Sequence, residues 1–193
     1  MRQFLKISQF KNVLIYSTLI FLFLNQTKIM SQNIIYDFNN QSDISNWIIV
    51  NDDVMGGISS CKLDLDKEGN GIFEGKISTA NNGGFSSIRL NLDKVFVKKD
   101  ACLVIRLKGD NKKYQLRIKA NIRDYHSYIY SFNTSNEWET ISIPLKNMYP
   151  SFRGRKLAMN NFSDTSFEQI SFLIGNKQNE NFKLIIDNIL LFD

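Results

Sequence analysis

The sequence has few of the residues on which catalytic and metal sites usually depend. Its 193 residues include one histidine, His126, and two cysteines, Cys61 and Cys102. No serine or cysteine nucleophile pattern accompanies His126, so a catalytic triad is not expected. Three Cys and His residues are also too few for a protein zinc site. We therefore expect a protein that is not an enzyme.

Helical periodicity is nearly absent as well. Short apolar or alternating segments recur after residue 32, separated by turns rich in Gly, Asn and Asp. About ten or eleven short strands with no strand–helix alternation predict one all-β domain, a sandwich or jelly roll. The longest irregular stretch is Lys146 to Ser166, which is longer than most loops in compact domains and is therefore a candidate for function or for a short helix.

Two neighbouring segments form the best hairpin candidate. Ala101 to Lys108 and Tyr114 to Ala120 are separated by the turn Gly109 to Lys113. The inward set would be Leu103, Ile105 and Leu107 facing Tyr114, Leu116 and Ile118 across the core. The outward set would form one basic stripe of Arg106, Lys108, Gln115, Arg117 and Lys119. A solvated face is the simpler explanation of this stripe, because antiparallel sheets often expose one side.

An aromatic row occupies the next predicted strand, Tyr125 to Asn133. Its members alternate along the segment: His126, Tyr128, Tyr130 and Phe132. Such a row packs into a core or stacks against sugar rings. Because the opposite positions are mostly serine, we expect the row to face the core.

The amino terminus has the pattern of an export signal. Arg2, Lys6 and Lys11 precede an uncharged apolar run, Val13 to Leu24. That run is shorter than the roughly 20 apolar residues that span a bilayer. We expect a signal peptide, residues 1–31, followed by one periplasmic or secreted domain, residues 33–193. The alternative is an uncleaved anchor, and in either case only this segment contacts the membrane. No Cys ends the apolar run, so lipoprotein anchoring is not expected.

Removal of this segment leaves an almost neutral chain. The segment contains four basic residues and no acidic ones, so 20 basic and 19 acidic residues remain, a net charge of +1. A nucleic-acid partner is therefore not expected, since it would require a basic domain. In an oxidising compartment Cys61 and Cys102 either form a disulfide or are two small buried residues.

The least strand-like stretch runs from Asn51 to Ser60. Asp52 and Asp53 come shortly before Met55 and the pair Gly56-Gly57, so the chain turns back with angles that glycine adopts readily. A second double-glycine loop contains Asn82, Gly83 and Gly84.

One of the two aspartates is expected to cap turn amides and to pair with an arginine such as Arg89 or Arg153. The same loop offers oxygen ligands for calcium, although the spacing of an EF-hand is missing. We expect no cofactor, with a structural calcium ion as the alternative.

These motifs together resemble the complex I intermediate-associated protein 30 family, from Phe38 to Phe192. The resemblance rests on Trp47, Asn51 to Ser59, Phe73-Glu74-Gly75, Asn82 to Arg89, Leu107 to Asp110 with Tyr114, Trp138, Ile143-Pro144, Phe152-Arg153-Gly154, Phe182-Lys183-Leu184 and Asp187-Asn188-Ile189. It implies a galactose-binding-like jelly-roll β-sandwich. It also implies a non-catalytic role, since mitochondrial members are assembly factors that hold subcomplexes of respiratory complex I.

Three functions remain open. The first is an exported, assembly-factor-like domain in which the two double-glycine loops and Arg153-Gly154-Arg155 recognise a protein partner. The second is a carbohydrate-binding module, which predicts an exposed aromatic pair beside polar side chains. The third is a glycoside-active enzyme, for which no acid and base pair can be named. The candidate binding residues are Asp52, Asp53, Met55, Gly56, Gly57, Asn82, Gly83, Gly84, Arg89, Asp110, Arg153 and Arg155.

Overall fold

The computed structural model describes residues 31–53 and 56–193. Residues 1–30 of the predicted signal peptide, and Met55 of the predicted site, lie outside the described residues. Residues 31–193 form one compact unit. Within the described ranges, no helix has both the length and the apolar character needed to cross a membrane. The strands are β1 (Gln32–Asp37), β2 (Trp47–Asn51), β3 (Ser60–Leu65), β4 (Gly71–Ile77), β5 (Ser86–Phe96), β6 (Cys102–Lys108), β7 (Lys113–Lys119), β8 (Ser127–Asn133), β9 (Trp138–Pro144), β10 (Tyr149–Phe152), β11 (Arg155–Lys156), β12 (Ser166–Ile174) and β13 (Glu180–Phe192).

The strands form two antiparallel sheets, which confirms the predicted all-β sandwich. The six-stranded sheet has the order β3-β4-β13-β6-β9, with β1 also paired to β13. The seven-stranded sheet has the order β11-β10-β8-β7-β12-β5-β2. The last strand, β13, is long enough to pair with β4, β6 and β1 at different points along its length.

The core lies between the sheets and is built by strand alternation. In β6, Leu103, Ile105 and Leu107 are fully buried, while Arg106 between them is exposed. The aromatic row of β8 faces the same core, as predicted, because Tyr128 and Phe132 are buried there. Burial of apolar side chains from both sheets is therefore the main stabilising contribution.

The predicted hairpin of β6 and β7 is not formed. Strand β6 pairs with β13 and β9 in one sheet, whereas β7 pairs with β8 and β12 in the other. The apolar sides of both strands do face the common core. The connection crosses between sheets, so it divides the predicted basic stripe. Arg106 and Lys108 belong to one sheet, and Gln115, Arg117 and Lys119 to the other.

The long irregular segment from Lys146 to Ser166, a candidate for function or for a short helix, contains two strands, β10 and β11. Phe152 pairs with Arg155 across a two-residue turn in which Arg153 and Gly154 both have positive φ, 46° and 75°. Positive φ at both central residues is typical of a type I′ hairpin turn. These strands are only four and two residues long, too short for an alternation pattern to predict them.

The two cysteines are free thiols, and both are partly buried. Strands β4 and β13 lie between β3, which contains Cys61, and β6, which contains Cys102. Three strand spacings amount to roughly 14 Å, about twice the greatest Cα separation that a disulfide spans. The strand order therefore does not allow the disulfide, and the two residues expected to be buried are only partly so.

The first prediction concerns these thiols. In denaturant without reductant, both cysteines should react with iodoacetamide, and the melting temperature of the folded protein should not change when a reductant is added. Mass spectrometry of the alkylated protein measures the first outcome and calorimetry the second. A species two mass units lighter that resists alkylation would contradict the strand order.

Candidate functional site

A buried carboxylate, Asp52, joins the two double-glycine loops. Its Oδ1 accepts a hydrogen bond from the Ser59 amide (3.1 Å), and its Oδ2 accepts one from the Ser59 hydroxyl (2.5 Å). Oδ2 also accepts hydrogen bonds from the amides of Gly84 (2.5 Å) and Phe85 (3.2 Å). The expectation that an aspartate of this loop caps turn amides is confirmed.

The pKa of Asp52 reflects two opposing effects. Burial raises the pKa of the carboxyl, but the hydrogen bonds from Ser59, Gly84 and Phe85 outweigh burial and lower the pKa below its usual value. Asp52 is therefore ionised at neutral pH. Among the described residues it has no arginine partner, since amides and a hydroxyl balance its charge instead.

The two loops are packed around this carboxylate. A Cβ on Gly57 would lie 2.2 Å from Asp52 Oδ1, and one on Gly83 would lie 2.6 Å from Oδ2. The Asn81 side-chain amide also donates to the Gly56 carbonyl (2.9 Å). Asp52, Gly57 and Gly83 thus have a structural role, while the exposed Asp53, Gly56 and Asn82 lie at the surface of the same loops. Contact of these loops with a partner stays a prediction.

The loop residues do not form an obvious ion site. In the described ranges, no three or more His, Cys, Asp or Glu side chains are grouped so as to hold a metal ion. The oxygens of Asp52 are occupied by protein donors. The structure therefore supplies no support for the calcium alternative.

Asp110 is also engaged within the protein. Its Oδ1 accepts a hydrogen bond from the Tyr114 hydroxyl (2.9 Å), and its Oδ2 accepts from Lys112 Nζ (2.6 Å) and the Lys183 amide (2.9 Å). Burial and the nearby Asp110 charge raise the pKa of Tyr114. Asp110 thus links the loop between β6 and β7 to strand β13.

The predicted arginine turn lies at the opposite end of the sandwich from the double-glycine loops. Ser86 lies at the end of β5 next to those loops. The register of the strands from β5 across β12 and β7 places it level with Asn133, at one end of β8. Ser151, beside Arg153 and Arg155, pairs instead with Ser127 at the other end of β8. Those ends are about 20 Å apart, so the three segments do not form one surface.

The outward side of the seven-stranded sheet is recessed and polar. Its central row, which we call the arginine row, runs directly across adjacent strands. Ser171 in this row is 5% exposed, and Ser87 in the next row is 1% exposed, although both lie outside the apolar core. Longer neighbouring side chains therefore cover these two serines. The arginine row comprises Ile48, Arg89, Ser171, Arg117, Ile129 and Tyr149.

Two cations of this face lack carboxylate partners among the described residues. Burial lowers the pKa of Arg89, and burial together with the nearby Arg89 charge lowers the pKa of Arg117 to about 10. Arg117 donates from Nε (3.0 Å) and one terminal nitrogen (2.6 Å) to the Gln115 side-chain oxygen. Both guanidinium groups stay charged at neutral pH, because even the lowered pKa of Arg117 exceeds it by several units.

An exposed aromatic pair lies at the arginine-turn end of this sheet. Tyr125 is 62% exposed and Phe152 is 38% exposed, with ring centroids 5.3 Å apart. The guanidinium of Arg153 lies 5.3 Å from the Phe152 ring centroid. The exposed pair beside polar side chains, which the carbohydrate hypothesis predicts, is therefore present.

A match to a protein-family model decides the relationship. A family model described as complex I intermediate-associated protein 30 matches residues 36–186, from β1 to within β13. The chain belongs to the complex I intermediate-associated protein 30 family. No curated protein matches the sequence of this family member.

Solved structures share the fold of this complex I intermediate-associated protein 30 domain. The family 11 carbohydrate-binding module from Clostridium thermocellum, in complex with a β-1,3-1,4-mixed-linked tetrasaccharide, has a TM-score of 0.62 and 18% identity, with coverage of 86% of this chain and 96% of its own. A mutant of the family 29 module CBM29-2 complexed with mannohexaose has a TM-score of 0.52 and 12% identity, with coverage of 84% and 92%. The likeness confirms a jelly-roll sandwich.

Sequence reasoning identified Arg89 but missed the rest of the recessed face. Gln115 and Arg117 were assigned to an ordinary solvated surface, and Gln169 and Ser171 were not singled out. One sequence signal for this face was available. In β12, the polar residues Gln169 and Ser171 alternate with apolar residues. Burial on both sides of β12 depends on its neighbours, which local sequence does not reveal.

The second prediction tests the role of Asp52. Asp52→Asn should lower the free energy of unfolding by about 2–4 kcal/mol, because an amide donor would face buried donors. The native carboxylate has a lowered pKa, so its contribution is present above the unfolded pKa of about 4 and is lost as pH falls through the folded pKa. Urea unfolding at several pH values should therefore show a steeper acid loss in the native protein than in the variant. The exposed neighbour variant Asp53→Asn is the control, and equal effects of both variants would refute the assignment.

The third prediction tests the close approach of Gly57. Gly57→Ala should destabilise the protein by about 2–3 kcal/mol, because its methyl group would overlap the Asp52 carboxylate. Gly56→Ala should cost about 1 kcal/mol, since only its positive φ opposes alanine. In an Asp52→Ala background the Gly57 penalty should shrink, which a double-mutant cycle measures. Additive effects would contradict a direct contact.

Proposed function

We propose that this domain is a non-catalytic module that binds a polysaccharide along the outward side of the seven-stranded sheet. The main observation that supports this proposal is the recessed polar face around the arginine row. Its hydrogen-bonding side chains are directed away from the core. The basic and apolar pattern of residues 1–31 supports export of the module, where extracellular glycans would be accessible.

The side chains on this face suit an uncharged or charged sugar chain. Gln169 and Asn91 are joined by a hydrogen bond of 2.8 Å and leave further donors and acceptors for hydroxyl groups. Tyr149 supplies an aromatic surface in the arginine row, and the exposed Tyr125–Phe152 pair lies at one end of the same sheet. Sites of this kind combine aromatic contact area with a few placed polar groups. The shared fold with carbohydrate-binding modules supports the same proposal.

The two acidic residues on the strands of this sheet lie toward one end of it, away from the arginine row. These residues, Asp93 and Glu168, lie beside the register irregularity of β5 and β12. Glu168 accepts a hydrogen bond from the Ile122 amide (3.0 Å) and pairs with Lys94 (3.7 Å). Glycoside hydrolysis needs two carboxyl groups flanking a bound sugar. This arrangement supports a binding role.

The fourth prediction tests this binding face with a panel of soluble plant and bacterial polysaccharides. At least one polymer should bind residues 31–193, and Gln169→Ala should weaken binding about tenfold by loss of hydrogen bonds. Affinity electrophoresis or calorimetry measures the change.

The control is Lys76→Ala, which removes an exposed side chain from the six-stranded sheet and should leave binding unchanged. Thermal melts establish that each variant is folded. Equal losses in both variants, or no polymer bound at all, would refute the proposed face.

A protein partner is the second candidate, and exposed isoleucines favour it. Ile48 and Ile49 are on β2, the edge strand of the seven-stranded sheet, and Ile58 beside the first double-glycine loop is 64% exposed. Exposed apolar residues at a sheet edge are typical of protein docking. The family description, an association with a complex I intermediate, supports a protein partner.

The two candidates predict opposite patterns of sensitivity. Ile49→Asp and Ile58→Asp should abolish capture of a protein partner from an envelope extract, while leaving polysaccharide binding intact. Gln169→Ala should do the reverse. Quantitative mass spectrometry of the captured proteins, beside the polysaccharide titration, separates the two functions.

A further inference from the structure

Positive charge is concentrated on the seven-stranded sheet. Its strands contain two acidic residues, Asp93 and Glu168, and seven basic ones, whereas the strands of the other sheet contain six acidic and five basic residues. This imbalance exists although the predicted mature chain is nearly neutral. The seven basic residues are Arg89, Lys94, Lys113, Arg117, Lys119, Arg155 and Lys156.

Two of these residues flank one small side chain in direct register. Ser171 on β12 is opposite Arg89 on β5 and also opposite Arg117 on β7. The two arginine backbones are therefore about two strand spacings, or roughly 10 Å, apart. Ser171 is buried whereas both arginines are partly exposed, so the arginine side chains, and not the serine hydroxyl, form the accessible surface at this point. The proximity of the two charges also contributes to the lowered pKa of Arg117.

The charges at this position lack compensation within the described part of the chain. The Arg89 side chain has no ion pair or hydrogen bond there, and the Arg117 side chain donates only to the neutral Gln115 side chain. The neighbouring Lys119 is held by the carbonyls of Ile122 and Asp124. Partly desolvated cations without a carboxylate are unfavourable unless an anion completes the site.

We propose that this face binds an acidic polysaccharide, with a uronic-acid carboxylate held between Arg89 and Arg117 above Ser171. This inference rests on the proposed polysaccharide-binding function and specifies its ligand class. A guanidinium matches the planar geometry of a carboxylate and forms strong, charge-assisted hydrogen bonds with it. Gln115 orients the guanidinium group of Arg117, and the partly exposed Tyr149 adds aromatic surface for a sugar ring at the end of the row.

The experiment compares polygalacturonate with the same polymer after reduction of its carboxyl groups. The two polymers share length and linkage, so only the charge differs. Residues 31–193 should bind polygalacturonate at least about tenfold more tightly than the reduced polymer, and that preference should fall as salt rises from low to about 0.5 M.

Variants identify the groups responsible. Arg89→Gln and Arg117→Gln should each remove most of the preference for the charged polymer, while the reduced polymer binds as before. Arg117→Lys keeps the positive charge but loses the planar guanidinium group. It should therefore retain more of the preference than Arg117→Gln but less than the native protein. Lys76→Gln, on the other sheet, should change neither affinity, and thermal melts confirm that all variants are folded.

The outcomes distinguish the acidic ligand class from the binding face itself. Equal affinity for both polymers, with sensitivity to Gln169→Ala, would overturn the acidic ligand class but retain the binding face. Binding of neither polymer, nor of any other glycan, would overturn both proposals. Tighter binding of a single-stranded DNA oligonucleotide than of polygalacturonate would overturn the ligand class and indicate a nucleic-acid site.

Discussion

The Asp52 carboxylate is the interaction on which the loop end of this sandwich depends. Two segments far apart in sequence, near Ser59 and Gly84, direct their donors to one buried acid. The charge is favourable there only because four hydrogen bonds replace its hydration. That requirement explains the double-glycine motifs, since Gly57 and Gly83 allow the chain to approach the carboxylate. The double-glycine motif of the first loop thus has a structural role.

Strand alternation then determines which surface is available for binding. One side of each central strand is committed to the core, and the other side of β5, β7 and β12 forms a continuous polar face. Arg89 and Arg117 retain donor groups on this face because no carboxylate of the described chain neutralises them. In the proposed function, the sheet face binds the ligand, while Asp52 holds the loops together.

The strand pattern was predictable from sequence, but the pairing of strands was not. Leu103, Ile105 and Leu107 were correctly placed in the core, since alternation is a local property. Their strand was paired with the wrong neighbour because a short connection between β6 and β7 resembles a hairpin turn and instead crosses between sheets. The amide-capping role of an aspartate followed from its local chemistry. The recessed face did not, because register across three strands brings Arg89, Ser171 and Arg117 together.

The most direct test is nuclear magnetic resonance mapping of residues 31–193 during titration with an oligogalacturonide. Binding on the sheet face predicts the largest shifts at the amides of Gln115, Arg117 and Ser171 and at the guanidinium resonances of Arg89 and Arg117. The loop amides of Asp53, Gly56 and Asn82 should change little. Shifts concentrated in those loop amides, with the sheet face unaffected, would contradict the account.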